Sequence, residues 1–110
     1  MGIMDLLTPK SKEDINYWVE VFKEDPGSIL IDVRRTHEFE EAHIPGATSL
    51  PFDDIKEKHL EVLPDKNQKI YIYCLVGKRS VRARAALEDL GYTNMQEIGG
   101  IRDYTGELEK

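Results

Sequence analysis

The chain has 110 residues, a formal net charge of -6 and one cysteine. This length supports one domain, covering 1–110, with one core, and the acidic balance argues against general affinity for nucleic acid. No apolar run approaches the roughly 20 residues that cross a bilayer. No secretory signal is expected, because the first residues have neither a basic region nor a long apolar stretch. A single cysteine excludes an internal disulfide and a cysteine-based zinc site, so a cytoplasmic location is the simplest expectation.

Apolar spacing and turn residues predict helices and strands that alternate along the chain. Apolar positions three and four apart predict helices, and short apolar runs between turn residues predict buried strands. The predicted strands cover 28–33, 47–50, 69–73 and 95–98. The predicted helices are one over 12–24 that opens on a capping-box-like Ser11 to Asp14, a short one capped by Thr36 and ending at Glu41, a weak one over 53–63, and one that Ser80 caps and Gly91 ends. In this last helix Val81, Ala83, Leu87 and Leu90 are expected to face the core. This alternation implies a mainly parallel sheet with helices on both faces.

Cys74 lies where an α/β fold places its chemistry. It ends a predicted buried strand and precedes a glycine-containing loop and a helix N-terminus. Loop amides and the positive end of the helix dipole favour the thiolate, which is the nucleophilic form of cysteine. Lys78 and Arg79 add positive charge, and the stretch 66–87 holds six basic residues and no Asp or Glu. The sequence therefore predicts a reactive cysteine that meets an anion.

Four motifs resemble those of single-domain rhodaneses, a sulfurtransferase-type family. They are Asp32-Val33-Arg34, the stretch from Glu38 to Ala47 that contains His43-Ile44-Pro45-Gly46, the loop from Cys74 to Ser80, and Gly99-Gly100 followed by Tyr104 and Gly106. Ala42 stands where the family has glycine, and Tyr104 stands where it has tryptophan. The resemblance implies one rhodanese-type domain with a five-stranded, mostly parallel sheet and helices on both faces. Its first strand is expected in the segment before Ile29.

The resemblance also implies an activity. Thiolate Cys74 takes a sulfane sulfur from thiosulfate or a persulfide, becomes a persulfide and passes the sulfur to cyanide or a thiol. It implies no cofactor and no metal. The implied partners are a small anionic sulfur donor and a thiol or cyanide acceptor, with a protein as a further kind of donor or acceptor, and neither nucleic acid nor a membrane. The implied substrate-binding residues are Leu75, Val76, Gly77, Lys78, Arg79 and Ser80, the first two through their backbone amides.

Several polar residues near these motifs are expected to support the site and not to react. His43 is expected to be structural and to bond the turn at Pro45-Gly46, because a thiolate needs no general base. Asp32 and Arg34 are expected to brace loops, and Glu38 is expected to pair with Arg79.

Two alternatives to sulfur transfer remain open. One is a non-enzymatic module that carries sulfur or docks a partner, and intact Cys74 and Arg79 do not separate it from an enzyme. The other is a cysteine phosphatase or arsenate reductase. The segment from Cys74 to Arg79 is six residues long, one fewer than the phosphatase loops that it resembles. A shorter loop makes a smaller cradle of amides, which favours a terminal sulfur over phosphate or arsenate.

Overall fold

The structure, a computed structural model, describes residues 14–110. Helices and strands alternate through this part of the chain, as the apolar pattern predicts. In chain order they are α1 (Ile15–Lys23), β1 (Ile29–Asp32), α2 (Thr36–Glu41), β2 (Ala47–Ser49), α3 (Ile55–Val62), β3 (Ile70–Cys74), α4 (Lys78–Asp89) and β4 (Met95–Gly100), with 3-10 turns at Phe52–Asp54 and Ile101–Asp103. Ser11 of the predicted capping box lies outside the described residues, but Asp14 caps α1 by accepting a hydrogen bond from the Asn16 amide.

The strands form one sheet in the order β2-β1-β3-β4, and every neighbouring pair is parallel. The parallel α/β prediction is therefore confirmed. β3 is central, and its last residues pair with both neighbours: Tyr73 lies opposite Asp32 of β1, and Cys74 lies opposite Gly100 of β4. Because parallel strands end at the same edge, this register gathers the residues that follow β1, β3 and β4 at one edge of the sheet.

The sheet in residues 14–110 has four strands. The fifth strand expected before Ile29 is not found in residues 14–28, which form the predicted helix α1 and a turn; Ile15 and Val19 lie one helical turn apart and are both buried against the sheet. Residues before 14 lie outside the described part of the chain, so the fifth strand stays a prediction.

Two apolar layers cover the two faces of the sheet, and β3 contributes to both. Alternate residues of a strand point to opposite faces. Ile72 and Cys74 pack with α3 and α4 on one face, and Tyr71 and Tyr73 pack with α1 on the other. All five residues of β3 are buried. The period of two therefore places the sulfur on the α4 face, where the N-terminus of that helix begins.

The helix starts differ from prediction at two of the three predicted caps. Thr36 is the first residue of α2 and follows the cap Arg35, and Ser80 is the third residue of α4, whose cap is Gly77. Gly77 has a φ of +98°, a left-handed conformation that lets the chain enter the helix without further loop residues. Val81 is 52% exposed, contrary to the prediction that it is buried, because Ser80, Ala83 and Leu87 form the buried face of α4 and Val81 lies outside it.

Of the helices between residues 14 and 110, none has the length and apolar content that a membrane-spanning segment requires.

Candidate active site

Cys74 ends β3 at the bottom of a short loop that runs to α4. Its side chain is almost fully enclosed, with 1% of the residue exposed. The Gly77 amide donates a hydrogen bond to Sγ at 2.9 Å, and the Ser80 amide donates one at 3.4 Å. The 12 residues of α4 point their positive dipole end at the same atom. Amide donors and a helix N-terminus are the groups that favour negative charge on sulfur over the neutral thiol.

The loop closes because its backbone is held at both ends. The left-handed Gly77 turns the chain, so that its own amide faces back toward Sγ. On the outer side, the Leu75 carbonyl accepts a hydrogen bond of 3.1 Å from the Arg102 amide in the turn after β4. With this carbonyl bonded outward, the amides of Lys78 and Arg79 remain free of intrahelical partners, as in the first turn of any helix. The result is that two backbone N–H donors, from Gly77 and Ser80, bond one sulfur atom at the start of α4.

Gly100 is a structural requirement of this loop that sequence reasoning did not identify. It lies opposite Cys74 in the sheet and directly beneath the loop. A Cβ added at Gly100 would overlap the Leu75 carbonyl oxygen and approach Val76 Cα to 2.5 Å. Only a residue without a side chain lets β4 support the loop at this distance. The available signal was the pair Gly99-Gly100 itself, which the family motif contains.

The loop side chains of Leu75 and Val76 lie at its rim. Each is 38% exposed. The amides that bond Sγ belong to Gly77 and Ser80. The expected substrate contacts of Leu75 and Val76 through their backbone amides stay a prediction. The rim of the site is therefore apolar on the side of Leu75 and Val76 and carries the exposed Lys78 where α4 begins.

Ser80 contributes its amide to the sulfur and its hydroxyl to the loop. Ser80 Oγ donates to the Gly77 carbonyl at 3.0 Å, and the Cys74 thiol donates to Ser80 Oγ at 3.7 Å. The predicted role as helix cap was wrong, because the hydroxyl lies within the first turn and stabilises the glycine that precedes the helix. Ser80 is fully buried.

Arg79 lies in the first turn of α4 and pairs with Glu38 of α2, as predicted. The distance from its NH1 atom to Glu38 Oε1 is 3.8 Å, and the Arg79 side chain is 37% exposed. Glu38 Oε1 also accepts a hydrogen bond from the Arg35 amide at 3.0 Å. A long, half-exposed contact of this kind contributes little to stability and leaves the guanidinium able to meet another anion.

Asp32 and Arg34 brace the loop after β1, which confirms the expected role. The carboxylate is fully buried, and Arg34 binds it through Nε and NH2, the latter at 2.8 Å. The same NH2 group donates to the Ala42 carbonyl at 2.7 Å. Burial by itself lowers the pKa of Arg34, but the hydrogen bond and charge of Asp32 raise that pKa above its ordinary value. Arg34 therefore stays charged, and its contacts with Asp32 and Ala42 tie the end of β1 to the segment after α2.

His43 is held by structural contacts, although not with the partners expected. Its Nδ1 lies 2.8 Å from the Phe39 carbonyl oxygen, and its ring stacks on Phe39 with centroids 3.8 Å apart. Its backbone exchanges hydrogen bonds with Glu109, and Nε2 lies 3.4 Å from the Glu109 carboxylate. It is Glu109, not His43, that accepts the hydrogen bond of Gly46 in the turn. His43 thus joins α2 to the C-terminal segment.

These features define a class of protein: an α/β domain in which a central parallel strand delivers one enclosed cysteine to a short loop of backbone donors. The loop can hold a small anionic group on sulfur, and the guanidinium of Arg79 lies at its edge. A family model described as "Rhodanese-like domain" matches residues 16–107, and the chain belongs to this family.

Curated relatives agree with this assignment. Thiosulfate sulfurtransferase PspE of Escherichia coli (strain K12) is 36% identical over 73 residues, which cover 66% of this chain and 70% of that protein. Putative sulfur carrier protein YrkF of Bacillus subtilis (strain 168) is 33% identical over 96 residues, covering 83% of this chain. The chain spans only about half of that relative, at 51% of its length.

Solved structures show the same fold. A rhodanese with anions from E. coli has a TM-score of 0.69 and 32% identity, and the match covers 76% of this chain and 98% of that one. The BH2092 protein from Bacillus halodurans has a TM-score of 0.71 and 34% identity, with 87% of this chain and 74% of that one covered. The rhodanese-type fold predicted from the motifs is thereby confirmed.

Proposed function

We propose that the protein is a sulfurtransferase in which Cys74 carries the transferred sulfur as a persulfide. In the first half-reaction the Cys74 thiolate attacks the outer sulfur of thiosulfate. A new S–S bond forms to Sγ, the S–S bond of thiosulfate breaks, and its electron pair leaves with sulfite. Charge balances, because the thiolate and dianionic thiosulfate give an anionic persulfide and dianionic sulfite. A persulfide donor reacts in the same way and releases its thiolate.

In the second half-reaction a thiophilic acceptor attacks the outer sulfur of the persulfide. The bond between this sulfur and Sγ breaks, and its electron pair returns to Cys74 as the thiolate. Cyanide leaves as thiocyanate, and a thiolate leaves as a persulfide. No general base is required, since both attacking groups react as anions and the enzyme ends as it began. This agrees with the absence of any contact between His43 and the Cys74 loop among the hydrogen bonds of residues 14–110.

The observation that carries the proposal is the pair of amide hydrogen bonds to Sγ, 2.9 Å from Gly77 and 3.4 Å from Ser80. Fixed donors of this kind stabilise charge on sulfur in both the thiolate and the persulfide, with no reorganisation during reaction. The amides of Lys78 and Arg79 lie in the first turn of α4, where they have no intrahelical partner, and would be available to the outer sulfur. The similarity to a thiosulfate sulfurtransferase supports the choice of donor.

Intact-mass measurement tests the proposal directly. After incubation with thiosulfate and removal of excess donor, the protein should gain the mass of one sulfur atom, and cyanide should remove it with release of thiocyanate. The matched control is Cys74→Ser, which keeps the shape of the side chain and cannot form a persulfide. Equal mass gain by Cys74→Ser would place the sulfur elsewhere and refute the assignment.

A second candidate function is sulfur carriage without turnover, and the similarity to a putative sulfur carrier protein favours it. A carrier accepts one sulfur on Cys74 and releases it only to a dedicated partner. The two functions differ in steady state: with thiosulfate and cyanide an enzyme releases thiocyanate many times per molecule, whereas a carrier releases at most one equivalent.

A further inference from the structure

A basic pocket of about 370 Å³ lies beside the Cys74 loop. Three arginines line it, Arg35, Arg79 and Arg82, and among the described residues Asp53 is the one acidic residue in its lining. The order of the strands brings these residues together: Arg35 comes after β1, Asp53 comes after β2, and Arg79 and Arg82 lie on helix α4, which follows β3. The pocket thus occupies the edge where three neighbouring strands end, and it shares Arg79 with the loop.

Two of these arginines, Arg35 and Arg82, have no carboxylate partner among residues 14–110. In residues 14–110, no Asp or Glu oxygen lies within 4.0 Å of Arg35 or Arg82. Arg84, only two residues from Arg82 on α4, pairs with Glu88 at 3.6 Å and with Glu97 at 3.8 Å. The chain has 21 acidic and 15 basic residues. In such a chain, two arginines that line one pocket and have no ion-pair partner among the described residues mark a surface suited to an anion.

The lining also has an apolar side, formed by Val33 and Phe52. Val33 belongs to the same buried cluster as Cys74, so the apolar side of the pocket adjoins the apolar residues that pack around the cysteine. Thiosulfate and cyanide are small enough for the loop alone. A volume of about 370 Å³ beside it fits a larger reactant that has an apolar stem and a charged end.

We propose that this pocket binds the sulfur acceptor, and that Arg35 and Arg82 bind a carboxylate on it. The acceptor class is a thiol that carries an anionic group. Its thiolate attacks the outer sulfur of the Cys74 persulfide, while its carboxylate lies against the two guanidinium groups. The bond between the outer sulfur and Sγ breaks, its electron pair returns to Cys74, and the acceptor leaves as a persulfide. This inference rests on the proposed sulfur transfer and names its acceptor.

Paired thiols test the inference on persulfidated protein. The protein is loaded with thiosulfate, freed of donor, and mixed with either 3-mercaptopropionate, which is anionic, or 2-mercaptoethanol, which is neutral. Intact mass gives the rate at which each thiol removes the sulfur. The readout is the rate with 3-mercaptopropionate divided by the rate with 2-mercaptoethanol. The intrinsic reactivities of the two thiols are the same for every variant, so they do not affect a comparison of this ratio between variants. Arg35→Gln and Arg82→Gln each remove one pocket charge, and Arg84→Gln is the matched control on the same helix.

The expected result is a fall in this ratio of about threefold to tenfold in Arg35→Gln and in Arg82→Gln, the range of a partly exposed charge-assisted contact. Arg84→Gln should keep the wild-type ratio. If the three variants share one ratio, the pocket does not bind the acceptor, although sulfur transfer still stands. If no persulfide forms, the proposed sulfur transfer is wrong. If a persulfide forms but neither thiol removes its sulfur, transfer to thiols is wrong. In both cases this inference is wrong as well.

Discussion

Replacing Gly100 by alanine should disable the Cys74 loop while leaving most of the fold intact. The new methyl group would overlap the Leu75 carbonyl oxygen and lie 2.5 Å from Val76 Cα. Ordinary contact between carbon atoms begins about 1 Å farther out, so the loop or β4 must move by about that distance. Both obstacles are backbone atoms, which cannot rotate away as a side chain can.

The size of the effect follows from this displacement. A shift of about 1 Å in groups that hold a reacting atom can lower a rate roughly a hundredfold. Moving the Leu75 carbonyl also breaks its hydrogen bond to Arg102, which costs about 1 kcal/mol of stability. We therefore expect Gly100→Ala to lower kcat/KM for thiosulfate by about two orders of magnitude, with a modest fall in Tm.

The assay is thiocyanate formation from thiosulfate and cyanide, with thermal unfolding followed by circular dichroism. Gly27→Ala is the matched control, because a Cβ at Gly27 meets no atom within 4 Å and its backbone is not left-handed. This control should turn over at the wild-type rate. A Gly100→Ala protein that folds and keeps kcat/KM within threefold of wild type would show that the contact beneath the loop does not hold the site.

Three further predictions concern charge, reaction type and pH. Arg79→Ala should lower kcat/KM for thiosulfate about tenfold or more without loss of fold, because a charge-assisted contact contributes roughly 1.5 to 3 kcal/mol; an unchanged value would remove Arg79 from substrate binding. The wild-type protein should not hydrolyse p-nitrophenyl phosphate, and Cys74-dependent hydrolysis faster than sulfur transfer would favour the phosphatase alternative. Burial, followed by the hydrogen bond to Asp25, raises the pKa of Tyr71 to about 12, from about 10 when unfolded. The contribution of Tyr71 to the free energy of unfolding is therefore complete below pH 10 and falls by up to about 1.4 kcal/mol per pH unit between pH 10 and pH 12. Urea unfolding at a series of pH values should show a shallower fall for Tyr71→Phe than for the wild type.

The central strand and its cysteine were predictable because their signals are local. An apolar run that ends in cysteine predicts β3 to within one residue: 69–73 was predicted, and Ile70–Cys74 is observed. The glycine that follows and the helical spacing after it predict the loop. The direction of Sγ then follows from strand alternation, which places Cys74 on the α4 face.

The rest of the site depends on contacts between segments that are far apart in the chain. Gly100 matters because β4 lies directly beneath the loop, and no local sequence pattern predicts how close Gly100 comes to Leu75 and Val76. The start of α4 was misplaced because Ser80 is a good cap residue by type, whereas the left-handed Gly77 ends the loop sooner. The basic pocket was invisible for the same reason, since Arg35 and Arg82 meet only when β1 and β3 become neighbours.

Two arginines that follow parallel strands at the same edge illustrate how structure divides one residue type between two tasks. Arg34 grips a fully buried Asp32 with several short hydrogen bonds, and removing either partner would leave a charge buried without compensation. Arg79 touches Glu38 once, at 3.8 Å, with more than a third of its side chain in solvent. Exchange of Glu38 for a dianionic donor costs little in desolvation and gains a second negative charge near the guanidinium. For Arg34 the same exchange would open the brace between β1 and the segment after α2. We therefore expect an incoming anion to meet Arg79 and to leave the Arg34 pair intact.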